Sequence, residues 1–83
     1  MKADSARLAR DLGKQNRSMK FEPLDNGVKG AAKNGDTLAV TLGADGQWQA
    51  VRVVRGATYT ATATHAMLAV IKCTVLVLEA ARG

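Results

Sequence analysis

The chain has 83 residues, 47% of them apolar and 23% charged, which describes one small soluble domain with room for a single core. Twelve Lys and Arg against seven Asp and Glu leave a net charge of +5. Eight of the basic and four of the acidic groups fall in residues 1–33, so the charge belongs to the head, while residues 34–83 hold most of the aliphatic and β-branched side chains. The single Cys73 excludes an internal disulfide framework and a Cys-rich zinc site, and it suits a reducing compartment, either the cytoplasm or the inside of an assembled particle.

No apolar stretch follows the first charged residues, so a cleaved secretory signal is not expected. The longest apolar run, residues 66–78, is interrupted by Lys72 and is too short to span a membrane. Three aromatic residues, Phe21, Trp48 and Tyr59, are few for a domain that must hold itself together, since chains of this size bury only about 60% of their unfolded surface. Help from another chain is therefore expected.

In chain order, residues 3–19 read as a helix, with Asp4 or Ser5 as N-cap and neither Pro nor a β-branched residue inside. Arg7, Arg10, Lys14 and Arg17 fall within one stripe of about 80° on its surface, and Leu8, Leu12 and Met19 gather on the other side. Gly13 and the thin apolar side make this a weak helix alone, so residues 1–20 form a basic amphipathic arm that needs a surface to lie on. Pro23, Asp25, Asn26, Gly27, Gly30, Asn34, Gly35 and Asp36 then mark residues 21–36 as a linker or irregular loop.

Residues 37–81 read as a β domain. Leu38, Val40 and Leu42 alternate with Ala39 and Thr41 in a strand over 37–42, and Gly43-Ala44-Asp45-Gly46 turns the chain into a second strand over 47–55. Over 57–65 the alternation is strict, with Thr58, Thr60, Thr62 and Thr64 on one face and small residues around Tyr59 on the other. Residues 67–79 are apolar at both parities. A helix over 66–81 competes, but Val70, Ile71, Thr74, Val75 and Val77 are β-branched and favour a strand covered on both faces. The expected fold is mainly β: a small four-stranded antiparallel sandwich or barrel-like domain preceded by an N-terminal amphipathic helix or arm.

Little in the chain can carry catalysis. His65 and Cys73 are single and apart, the seven carboxylates are scattered and mostly in turns, and Gly27-Val28-Lys29-Gly30 lacks the strand before and the helix after that a phosphate loop needs. No catalytic residue, metal site, cofactor or small-molecule substrate is expected. The stripe of Arg7, Arg10, Lys14 and Arg17 is the candidate binding surface, for an acidic protein, for nucleic-acid phosphates, or merely for water. Trp48 shares a strand face with Ala50 and Val54 and reads as core, whereas Arg52 on that same face fits neither an inside nor an outside assignment.

A basic arm, a β domain short of core and a last strand that asks for cover together point to an assembly component. The expectation is a non-enzymatic structural protein that contacts itself and other subunits in an oligomer or shell, with Val70, Leu76 and Leu78 at the interface. Capsid decoration and joining subunits of viral particles are built from comparable parts. The alternative is a small basic nucleic-acid-binding or regulatory domain working through the arm.

Overall fold

The computed structural model describes residues 4–82, so Lys2 and the first residues of the expected arm lie outside the described residues. The elements follow in the order α1 (Ser5–Gln15), β1 (Met19–Leu24), β2 (Gly27–Ala32), β3 (Thr37–Leu42), β4 (Trp48–Val54), β5 (Ala57–Ala63) and α2 (Ala66–Arg82). All five strands form one open antiparallel sheet in the order β1-β2-β3-β4-β5, so every strand pairs only with its neighbours in sequence. The fold is mainly β, as expected. The four-stranded sandwich or barrel is corrected to a single five-stranded sheet with two helices on one face.

Asp4 caps α1: its carboxylate accepts the Arg7 amide at 3.3 Å and its carbonyl accepts the Leu8 amide at 3.1 Å. The helix stops four residues before the expected end because Asn16 turns both its amide (2.9 Å) and its side-chain nitrogen (3.2 Å) back to the Leu12 carbonyl. Ala9 and Leu12 lie buried on the side facing β1 and β2.

The segment 21–36, expected as a linker, instead forms most of the β1–β2 hairpin and the turn that follows. Its glycines answer packing needs. Gly30 pairs with Phe21, whose ring occupies the space where a Cβ would stand, and Gly27 lies so close to the Val40 carbonyl that no Cβ fits. β1 is a free edge, and Pro23, Lys20 and Glu22 along it discourage another strand from adding there.

Register assigns the two sheet faces. Met19, Phe21, Val28, Gly30, Ala32, Leu38, Val40, Trp48, Ala50, Arg52, Tyr59, Ala61 and Ala63 pair across strands on the face beneath the helices. The core lies between that face and Ala9, Leu12, Ala69, Val70 and Cys73 of the helices. The opposite face carries Thr37, Ala39, Thr41, Val51, Val53 and the exposed Thr58, Thr60 and Thr62, the hydroxyl row expected from the alternation.

The β4–β5 connection is the two-residue turn Arg55-Gly56, with φ of 51° and 83°, the pair of positive values that a type I′ hairpin requires. Arg55 is the one described non-glycine residue in that region, and its amide is held by Asp36 Oδ1 at 3.1 Å, which ties this turn to the β2–β3 turn. Arg55→Asn, which suits the left-handed conformation better, is expected to raise stability by about 0.5–1 kcal/mol in urea unfolding. No gain would mean that the Asp36 contact already compensates the strain.

The last run is a helix, which corrects the expected strand over 67–79. Its β-branched residues lower local helix propensity by only tenths of a kcal/mol each, and burial of Ala69, Val70 and Cys73 on β3, β4 and β5 outweighs that. Being apolar all round, the segment hides its helical period from a strand-or-helix reading of parity.

Candidate functional site

Residues of the basic stripe part company. Arg7, Arg10 and Lys14 are exposed on α1, but Arg17 follows the Asn16 cap and leaves the helix, so the four do not form one helical row. Arg7 sits beside a shallow groove of about 200 Å³ with Asp4, Asp11 and Trp48, where two carboxylates offset its charge. Arg17 lines a larger cavity of about 720 Å³ at the end of the sheet, together with Lys20, Lys33, Asn34, Asp36 and Arg52.

Arg52 resolves the ambiguity of its strand face. It stands on the helix-covered side between Leu38 and Tyr59, half-buried, and its Nε is enclosed with no hydrogen-bond partner among the described residues. Cys73 lies fully buried nearby, with its thiol donating to the Tyr59 carbonyl at 3.4 Å. Burial pushes that thiol above the ordinary thiol range, outweighing the Arg52 backbone and charge, which pull it down. A thiol held neutral in this way is a poor nucleophile.

His65 is exposed and immediately precedes α2, its carbonyl accepting the Ala69 amide at 3.1 Å. Asp4, Asp36 and Asp45 accept backbone amides at a cap and two turns, so these carboxylates hold the chain's bends. In Asp36 the amide from its own turn comes the other way, donated by Asp36 to Asn34 Oδ1 at 3.0 Å. Among the described residues no three His, Cys, Asp or Glu side chains gather as a metal site.

The outer face of α2 is the most unusual surface. Leu68, Ile71, Val75 and Leu78 follow one another at spacings of three, four and three, and all are exposed, Ile71 by 57% and Leu78 by 59%. At 100° per residue they form one stripe on the side of the helix away from Ala69, Val70 and Cys73. This is the spacing of a coiled-coil seam. Lys72 and Glu79 stand together on one flank of the stripe, and Leu76 adds apolar surface beyond them.

Of the expected interface residues, Leu76 and Leu78 are on the exposed side, whereas Val70 is only 6% exposed and belongs to the core. That corrects its assignment: on a strand Val70, Leu76 and Leu78 share a face, but at 100° per residue Val70 points to the sheet. Leu68, Ile71 and Val75 were hidden for the same reason, although their heptad spacing was there to be found. No helix among the described residues is long and apolar enough to cross a membrane. Comparison with protein families, with curated proteins and with solved structures finds no match to the chain.

Proposed function

We propose that the chain is a non-enzymatic assembly component that pairs with a second copy of itself through the outer face of α2, as a building block of an oligomer or shell comparable in kind to the small accessory subunits of viral particles. The observation that carries this reading is the exposed stripe of Leu68, Ile71, Val75 and Leu78 at heptad spacing on a helix whose other side is already packed. Isolated apolar side chains on a surface are ordinary, but four in register along one helix are a seam.

In an antiparallel pair that sets Leu68 against Leu78 and Ile71 against Val75 of the second copy, all four side chains are covered, and the twofold axis repeats each contact. The area is small, so association from this seam alone falls in the micromolar to millimolar range, and further contacts in a larger assembly add to it. A reducing compartment or a particle interior suits the unpaired Cys73.

The deciding measurement is solution mass by light scattering after size exclusion, from about 10 to 500 µM chain, at low and high salt, with the 260 to 280 nm absorbance ratio recorded for the peak. A concentration-dependent multimer that persists in high salt and carries no nucleic acid is expected, because apolar contacts do not weaken with ionic strength. A monomer throughout would overturn the reading. A monomer carrying nucleic acid that salt strips away would transfer function to the basic groups of α1.

A further inference from the structure

The cavity at the end of the sheet is independent of the α2 seam and has its own chemistry. Arg17 from the loop after α1, Lys20 from β1, Lys33 from the β2–β3 turn and Arg52 from β4 converge on a space of about 720 Å³. One carboxylate, Asp36, shares the lining, and its oxygens already accept the Arg55 amide at 3.1 Å and the Asn34 side-chain nitrogen at 3.3 Å. Four cations and one engaged carboxylate leave the cavity strongly positive.

Arg52 supplies the second observation. A guanidinium on the helix-covered face of a sheet is costly unless its donors are matched, and here Nε is enclosed with no partner among the described residues. The other lining cations come from two stretches of chain, 17–20 and 31–33, which the pairing of Met19 with Ala32 sets side by side, and all three are exposed. A planar fork with several N–H groups matches the oxygens of a phosphate, and lysines around it add point charges.

We propose that this cavity binds a ligand bearing two or more linked phosphate groups, with Arg52 contacting one phosphate from the floor and Arg17, Lys20 and Lys33 contacting the others from the rim. The shared chemistry is the phosphate oxygen, and its source is either a free oligophosphate or the backbone of a single nucleic-acid strand. Neither the α1 residues Arg10 and Lys14 nor the α2 seam takes part.

Calorimetric titration of the full chain with inorganic tripolyphosphate, and separately with an oligothymidylate of about 12 nucleotides, tests the site and separates the sources. Tripolyphosphate is expected to bind the wild type at low salt, at least tenfold more weakly to Arg52→Gln, and equally more weakly to the double variant Arg17→Gln, Lys33→Gln, whose changes are at exposed positions and leave the fold intact by circular dichroism. The exposed pair Arg10→Gln, Lys14→Gln should change nothing. Oligothymidylate binding lost with the same cavity variants would name a nucleic-acid backbone as the source, and tripolyphosphate binding without oligothymidylate binding would name a free oligophosphate. No tripolyphosphate binding, or binding that the exposed cavity variants leave unchanged while the α1 pair abolishes it, would overturn the proposal.

Discussion

Leu78→Lys is expected to leave a folded monomer at every concentration where the wild-type chain associates. Leu78 is 59% exposed and lies in the last turns of α2, where residues 78–82 are all exposed, so it contributes little to the chain's own core. Its replacement should change thermal stability, measured on dilute samples, by no more than about 0.5 kcal/mol. In an antiparallel seam the same change acts twice and places two ammonium groups against apolar side chains, which should weaken association at least about a hundredfold. Light scattering reads the loss directly. A charged residue at Val70 is no substitute, because that side chain packs on the sheet and its loss would unfold the monomer. If Leu78→Lys associates as the wild type does, the seam is not the interface.

Gly27→Ala is expected to be the most damaging of the glycine-to-alanine changes among the described residues. A Cβ there would collide with the Val40 carbonyl and crowd Thr41, both backbone, so no rotamer change relieves it and β2 must move away from β3. A cost of about 3 kcal/mol follows, and in a domain of 83 residues, whose total stability is about 4–12 kcal/mol, that is a large share. The thermal midpoint should fall by about 12–24 °C. The same substitution at Gly13, where a Cβ meets nothing within 4 Å inside α1, should instead raise stability by up to about 1 kcal/mol. Equal effects at the two positions would contradict the close approach of β2 and β3.

These two regions also show which parts of the fold are legible in the residues. β3, β4 and β5 declare themselves because alternation and Gly-bounded turns are local signals: Leu38 and Val40 point one way, and the threonines of β5 the other. β1 and β2 do not, since Gly27, Gly30 and Pro23 resemble loop residues until Phe21 and the Val40 carbonyl are seen in the spaces that side chains would fill. That information is tertiary. α2 is misread for another reason: its β-branched residues favour a strand locally, and two apolar faces erase the contrast on which periodicity depends. With α2 taken as a strand, the seam could not be assembled from Leu68, Ile71, Val75 and Leu78, and Val70 was drawn to the wrong side. Arg52 was visible as an anomaly, and only the packing of the helices shows that it is enclosed.

The neighbour-only strand order also bears on how the protein is made. Each hairpin can close as soon as its second strand has left the ribosome, because no strand waits for a distant one. What must wait is the covering of the sheet. Leu38, Val40 and Ala50 pack beneath elements that include α2, the last described element in the chain, so during synthesis a sheet that α1 already covers over β1 and β2 stays bare over β3, β4 and β5 until Ala69, Val70 and Cys73 arrive. In that interval the nascent chain is at its most adhesive, and a stall in translation before α2 would leave a sheet poised to aggregate.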